Sequence, residues 1–404
     1  MYHFPVPVLD MVLIVYLFYN CGMEVPEKLS LLSYHNHLEM PEGNEEPPCA
    51  NHVDSVYISH ATLPNGKKMR LFKSLISSRC SNNCYYCPMR RDSNHPRASF
   101  QPDEYATLIH NLYHAGLIDG AFISSAVVDD PIQTQDSLIK AMEILRLKYH
   151  FRGYLHVKFM PGVEFEQAIH IMRFADRVSL NLEAPSADRI SNLSPDKIAF
   201  EKLLDPLKWT QEIRQTPATP SNWKGRWPSV CTQFVVGGSG ESDHELLQTT
   251  AFLYNTIHLQ RAYYSPLKPY SGTPMENHPA IPLKRKLRLY QASYLIRDYG
   301  YQPEDLLFDQ QANLPLEKDP KTAWAETHLR ETPVEINHAD MESLMRIPGI
   351  GSKGAKKIIQ LRSIHPFRDA ADLSKAGIRI QNGLPFITID GKLSVVQPPL
   401  PLFL

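Results

Sequence analysis

The sequence predicts an α/β fold, a partial (β/α)6 barrel followed by a small all-α domain, and three observations carry that reading. Between residues 71 and 268 six short apolar runs alternate with stretches long enough for helices, the pattern of right-handed βαβ units on a parallel sheet. Within two of those runs polar residues recur at period two, which gives the sheet a polar inner face. Beyond residue 335 the pattern changes to short helical stretches around a Pro-Gly turn. At 404 residues the chain exceeds the roughly 250–300 at which a single core stops growing, so one large and one small domain are expected.

The elements follow in order from local signals. Residues 1–67 read as an N-terminal extension and loop region. Its apolar run "MVLIVYLFY", Met11 to Tyr19, has about half the length of a membrane helix. No Lys or Arg precedes Lys28, so the basic opening of a signal peptide is missing, and the run reads as a buried strand or packing segment, with a start-site extension or a membrane tether as the alternatives. The stretch "EMPEGNEEPPCANH", residues 39–52, is acidic and Pro-rich and reads as a loop. Residues 68–308 form the expected barrel with a flanking helix. Its strands are "LFKSLIS" (71–77), "GAFISSA" (120–126), "GYLHVKFM" (153–160), "DRVSLNLE" (176–183), "VCTQFVVGG" (230–238) and "RAYYSPLK" (261–268). Helical stretches such as "PDEYATLIHNLYHAG" and "EFEQAIHIMRFA" separate them, and "LKRKLRLYQASYLIRDYG" closes the region.

Residues 309–334, with prolines and mixed charge, read as a linker. Residues 335–390 form the small domain. There Asn337 is expected to cap a helix over "HADMESLMRI", "PGIG" breaks it, and Ser352 caps "KGAKKIIQLR". "PFRDAADLSKAGI" supplies a second half, because one hairpin alone is too small to be stable. Residues 391–404 read as an irregular tail.

In the fourth strand Ser179, Asn181 and Glu183 alternate with Val178, Leu180 and Leu182, and in the third Tyr154, His156 and Lys158 share one face. A parallel strand covered on both sides would be apolar throughout, so these faces are expected to line a wet, ligand-holding interior. A ligand-free hydrogen-bond network is the alternative. The net charge of -1 excludes a protein that coats nucleic acid through its overall field and leaves room for a local basic patch. Six cysteines, three of them in one cluster, do not make a disulfide framework and favour a reducing, cytoplasmic setting with a metal or redox role. Cys21, Cys49 and Cys231 read as structural thiols.

The cluster is "RCSNNCYYCP", residues 79–88, with Cys80, Cys84 and Cys87 in a C-x3-C-x2-C spacing on a loop just after the first strand. In a parallel barrel that is the face where active sites gather. Soft thiolates select iron-sulfur or zinc, and three ligands on a [4Fe-4S] cube leave one iron open. With the aromatic Tyr86 before the last cysteine, the segment resembles the radical S-adenosylmethionine superfamily and its TIM-like barrel. The resemblance implies a [4Fe-4S] cluster on the three cysteines, S-adenosyl-L-methionine chelated to the free iron, and a 5′-deoxyadenosyl radical that abstracts hydrogen from a substrate. It also implies Tyr86 near the adenine, Ser124, Ser125 and Ala126 of "FISSA" at the methionine amino group, and Asn181, Glu183 and Arg189 near the ribose and carboxylate. Gly237 and Gly238 of "FVVGGSGE" would lie beside the adenine. A structural zinc knuckle is the competing reading of the three cysteines.

"LMRIPGIGSKGAKKIIQLR", residues 344–362, resembles a helix-hairpin-helix motif. Gly349, Ile350 and Gly351 would turn backbone N–H groups toward a phosphate, the following helix adds its positive end, and Lys353, Lys356 and Lys357 add charge. Nothing there reads base edges, so DNA binding is expected to be independent of sequence. Arg90, Arg91 and Arg97 are either phosphate contacts at the barrel mouth or surface residues. Barrel and hairpin together, with "CSNNCYYCPMRR" and "HPRASF", resemble the radical enzymes assigned to DNA modification or repair that accompany uracil-DNA glycosylase-like partners. That family implies a flavodoxin or ferredoxin as electron donor and no membrane association. A radical enzyme acting on RNA and a non-catalytic iron-sulfur nucleic-acid-binding protein are the alternatives.

Overall fold

The computed structural model describes residues 25–33, 58–62, 66–196 and 199–394. The apolar run at 11–19, the loop at 39–52, Cys21, Cys49 and the tail from 395 lie outside the described residues. The described chain falls into two compact units, residues up to 241 with 253–281, and 242–252 with 282–394. Among the described residues no helix is long and apolar enough to cross a membrane.

The first unit is a curled seven-stranded half-barrel in strand order β1 to β7. All six expected strands are present: β2 (Lys68–Leu75), β3 (Gly120–Ser124), β4 (Tyr154–Lys158), β5 (Arg177–Ser179), β6 (Ser229–Val236) and β7 (Arg261–Pro266), each parallel to the next. Ahead of them an edge strand, β1 (Ile58–Thr62), pairs antiparallel with β2. Its five residues, "ISHAT", carry too little apolar alternation to stand out in sequence. β3 is buried along its whole length, as expected of a strand covered on both faces. Gly120 is required in it, because a Cβ there would lie 2.5 Å from the carbonyl oxygen of Tyr154.

The helices that cover the sheet start where their caps place them. α1 (Val25–Ser33) precedes the sheet, and Lys28 on it pairs with Glu104 at 3.0 Å. α2 (Pro102–His114) opens with a reciprocal Gln101–Glu104 capping box and Pro at its first position. α3 (Pro131–Glu143) is capped by Asp130, whose side chain accepts from the Ile132 N–H at 2.9 Å. α4 (Phe165–Phe174), α5 (Ala187–Leu193) and α6 (Phe200–Gln215) follow the later strands, and the residues of α7 (Asp243–Ile257) are divided between the two units after Phe252.

The end of the barrel opposite the strands' C-termini is tied together by Asp176. Its carboxylate accepts from the Leu155 N–H (3.0 Å), Arg146 (3.1 Å), Trp223 Nε1 (3.1 Å) and Lys224 (2.7 Å). Arg146 also donates to the carbonyls of Phe151, Gly153 and Phe174, and its guanidinium stacks 3.6 Å from the Trp223 ring centre. Both side chains of the Arg146–Asp176 pair are 2% exposed. Removing one partner of a buried pair leaves an uncompensated charge and costs about 3–5 kcal/mol. Asp176→Ala is therefore expected to lower Tm by roughly 10 °C, while a surface carboxylate such as Glu317 replaced by Ala leaves it within a degree or two. Thermal unfolding of the two variants checks this, and equal melting temperatures would contradict it.

The second unit holds α8 (Leu283–Tyr299), α9 (Pro320–His328), α10 (Met341–Arg346), α11 (Ser352–Arg362) and α12 (Ala370–Lys375). α8 ends on Gly300 in the left-handed conformation, φ 75°. α9 falls inside the stretch read as a linker. Asp319 caps it and Ala323, Trp324 and Ala325 are buried, contacts that a nine-residue segment with weak periodicity does not advertise. The unit adds a small sheet in which β8 (Val334–Glu335) is parallel to β9 (Ile387–Ile389), which is antiparallel to β10 (Lys392–Leu393). Segments of two or three residues show no period to read.

Two caps differ from expectation. Asp340, not Asn337, caps α10, accepting from the Ser343 N–H at 2.7 Å. Asn337 instead bridges to the backbone N–H and carbonyl of Phe367, both at 2.9 Å. α11 starts one residue earlier than read, with Gly351 as N-cap and Ser352 as its first helical residue, since the hairpin turn sets its own exit.

Candidate functional site

The cysteine loop leaves the C-terminal end of β2 and is anchored on both sides. The Ile76 N–H donates to Ser124, the Ala126 N–H to Ser77 and the Ser81 N–H to Val127, at 2.8–2.9 Å. Arg97 closes it: Nη1 donates to the carbonyls of Ser78 (2.8 Å) and Met89 (2.7 Å), and Nη2 to those of Arg90 (2.6 Å) and Ser93 (3.2 Å). Its guanidinium is thus committed to holding the loop, which removes it from the candidate phosphate contacts. Arg91 reaches Asp92, Asp196 and the Ser81 carbonyl. The middle of the loop rests on α5 through the Tyr85 N–H to Leu193 carbonyl bond at 2.8 Å.

Cys80, Cys84 and Cys87 line one cavity of about 130 Å³ together with Tyr86, Ser125, Ala126, Asn181 and Glu183. Lys158 and Gln233 also line it, and Gln233 shares the period-two face of β6 with Cys231, a signal of the same kind as Asn181 and Glu183. A smaller cavity of about 20 Å³ holds Lys73, His156, Ser179 and Cys231 on its walls, and Asn181 and Gln233 border both. Cys231 is 1% exposed, with its sulfur 3.9 Å from His156 Nε2. His156 and Lys158 of β4, Ser179 at the end of β5, and Asn181 and Glu183 just beyond it thus face the barrel interior, whereas Tyr154 lines neither cavity.

Four candidates do not line the larger cavity. Ser124, at the end of β3, has a buried hydroxyl with no hydrogen-bond partner. Gly237 and Gly238 belong to a turn closed by Glu241, whose carboxylate accepts from the N–H groups of Gly237 and Ser239 and from the Ser239 hydroxyl. Arg189 and Asn192 both donate to the Ser239 carbonyl. A Cβ on Gly238 would lie 2.7 Å from Leu193 Cδ2, so glycine there lets the turn pack beside α5. Glu241 was not singled out in sequence, although an acid directly after a glycine run is a natural acceptor for the turn's N–H groups.

Glu183 is 6% exposed and has φ 68°, a conformation that costs a non-glycine residue on the order of 1–3 kcal/mol and gathers at functional sites. Hydrogen bonds from its N–H to Gln233 and from Val235 to its carbonyl fix it there. Burial first, then Glu183, Cys84 and Cys87, push the Tyr86 phenol well above its ordinary pKa, so it stays protonated beside Glu183. Burial likewise pushes the Cys87 thiol up, and Cys84 and Cys80 push it further.

This donor set fits an iron-sulfur cube: three soft thiols on one cavity wall, with no other cysteine and no histidine among its lining residues. Among the described residues no three His, Cys, Asp or Glu groups come together closely enough for a single ion. Lys158, Asn181, Glu183 and Gln233 on the cavity wall suit a zwitterionic cofactor.

In the second unit, α10 and α11 flank the turn of Pro348 to Gly351. Gly349 has φ 86°, and a Cβ on it would lie 2.8 Å from the Arg379 carbonyl, so the turn requires glycine. Ile350 is buried, anchoring the turn, while Lys353, Lys356 and Lys357 are exposed on α11. Lys321, unremarked in sequence, donates to the Ile350 carbonyl at 2.6 Å and lies 4.8 Å from the Tyr299 ring centre. Arg346 and Arg362, the other basic residues of the two hairpin helices, are used internally. Arg346 stacks on Tyr301 and Trp324, and Arg362 donates to Ile336.

Residues 74–253 match the family model of the radical SAM superfamily, and residues 330–377 match the helix-hairpin-helix motif. Among solved structures, the [FeFe]-hydrogenase maturase HydG aligns at 14% identity and a TM-score of 0.44, over 56% of this chain and 49% of that one. Methylornithine synthase (PylB) aligns at 10% identity and 0.45, over 56% and 61%. The methyltransferase TsrM from Kitasatospora setae, bound to cobalamin and a [4Fe-4S] cluster, aligns at 14% and 0.38, over 52% and 39%. This chain thus spans less than two thirds of each structure's length. No curated protein matches it. Residues 74–253 thus match the radical SAM superfamily, whose members use a [4Fe-4S] cluster and S-adenosylmethionine, and residues 330–377 match the helix-hairpin-helix motif.

Proposed function

We propose that this chain is a radical SAM enzyme of DNA modification or repair, whose hairpin unit holds duplex DNA through its phosphates. The observation that carries the reading is the pairing, in one chain, of the three-cysteine cavity with a glycine-tight hairpin that presents Lys353, Lys356 and Lys357 to solvent. The cluster and cofactor, when bound, supply reductive cleavage of a sulfonium carbon-sulfur bond and a radical that removes a hydrogen atom. Cys80, Cys84 and Cys87 are the ligands this chain offers, on a loop that Arg97 holds closed. Tyr86 and Glu183 present a protonated phenol and a fixed carboxylate in the same cavity, and Asn181, Ser125 and Ala126 offer further polar and backbone contacts. A carbon inside a duplex cannot enter a cavity, so the target nucleotide is flipped out or already single-stranded. The electron comes from a donor such as a flavodoxin or ferredoxin.

The test is anaerobic reconstitution with iron and sulfide, addition of S-adenosylmethionine and a reductant, and measurement of 5′-deoxyadenosine alone, with duplex DNA and with structured RNA. The reading expects 5′-deoxyadenosine at a rate that DNA changes and RNA does not. Product that responds to RNA alone, or to neither, removes the DNA assignment.

A further inference from the structure

Ser194 follows the last residue of α5 and is 2% exposed. Its hydroxyl oxygen lies 2.9 Å from the sulfur of Cys84. The contact is built in by the helix. Ser186 starts α5 by accepting from the Arg189 N–H at 3.3 Å, and the Ser194 N–H donates to Ile190 at 2.8 Å. Its backbone then leaves the helical conformation, φ −153° and ψ 84°, which delivers the side chain to the cysteine loop beside the Tyr85 to Leu193 hydrogen bond.

Between a thiol and a hydroxyl either atom can donate. A cysteine that ligates iron does so as thiolate and has no proton to give, so the direction of this bond is then fixed from Ser194 Oγ to Cys84 Sγ. We infer that Ser194 is a positioning and tuning residue for the iron-sulfur cluster, donating a hydrogen bond to the Cys84 sulfur that raises the cluster's reduction potential. A donor at a ligand sulfur withdraws electron density and stabilises the reduced form, in which the sulfur carries more negative charge. A cluster held by these cysteines would supply the electron for sulfonium cleavage, so its potential would govern how readily that happens, and Ser194 would act on it through Cys84 without touching the reacting atoms. Nothing in the cysteine spacing marks Ser194, because it lies 110 positions from Cys84.

The experiment is a redox titration of the reconstituted full chain, followed by the electron paramagnetic resonance signal of the reduced cluster and therefore independent of turnover. Ser194→Ala is compared with wild type, and Ser194→Thr with Ser194→Val, a pair of nearly equal shape that differs in the hydroxyl. The expected result is a midpoint shifted to more negative potential in Ala and Val, with Thr at the wild-type value. A purely structural role would change iron content or melting temperature in Val and Thr alike and leave the midpoints together. Coincident midpoints for variants with and without the hydroxyl, in whichever pair retains its cluster, overturn the inference.

Discussion

Replacing Cys84 or Cys87 by alanine is expected to reduce 5′-deoxyadenosine formation to the background of cluster-free protein while leaving the apo fold intact. The two effects separate because of where the thiols sit. All three are half-buried on the wall of an open cavity, not in the packed core, so truncating one removes little apolar burial and shifts stability by about 1 kcal/mol or less. Function has no such tolerance. Three protein ligands are the minimum this loop offers, and with two the cube loses a corner. The measurements are iron and sulfide per chain, thermal unfolding of the apo-protein, and 5′-deoxyadenosine yield. A Cys87→Ala protein that holds a full cluster and turns over cofactor would show that other ligands hold the metal. Arg97→Ala is an informative companion: it keeps every ligand but releases four carbonyls of the loop, so iron content falls although no cysteine has changed.

The contrast between Cys87 and Arg97 also marks what the sequence reveals. Ligands on one loop declare themselves by spacing, and β4 and β5 declare their inner faces by alternation, so the cysteines, Asn181 and Glu183 were legible before any coordinates. Arg97, Ser194 and Glu241 act through backbone groups and atoms that only folding brings near, and no local period records such contacts. The capping of α10 illustrates the same limit at short range. Asn337 and Asp340 are both good caps by type, and what decides between them is Phe367, thirty positions away, which occupies both ends of the Asn337 amide. Arg97 shows the same limit: its sequence reading left phosphate contact and plain surface open, and the fold instead spends its guanidinium on four loop carbonyls.

The hairpin yields the second large effect. Converting Lys353, Lys356 and Lys357 together to glutamate is expected to abolish measurable duplex binding at 0.15 M salt while the unit stays folded, since all three side chains are exposed. Alanine at each position in turn gives the finer reading. Every lysine that neutralises a phosphate should make the dependence of log affinity on log salt shallower by about 0.9, uniformly across DNA sequences. A salt slope unchanged in all three would mean the hairpin serves packing or protein contact. Lys321 tests the turn from behind. Its ammonium is bonded to the Ile350 carbonyl, and burial, opposed by Asp319, lowers its pKa to about 8. Tyr299 beneath it is pushed the other way, mainly by burial. Raising pH from 7 to 9 therefore removes the Lys321 charge while the phenol stays neutral, and a positive charge behind the turn is lost. Wild-type affinity for DNA should fall across that window, and Lys321→Arg, which remains charged, should hold its affinity. Parallel pH profiles for the two proteins would place the charge that matters on the exposed face of α11 alone.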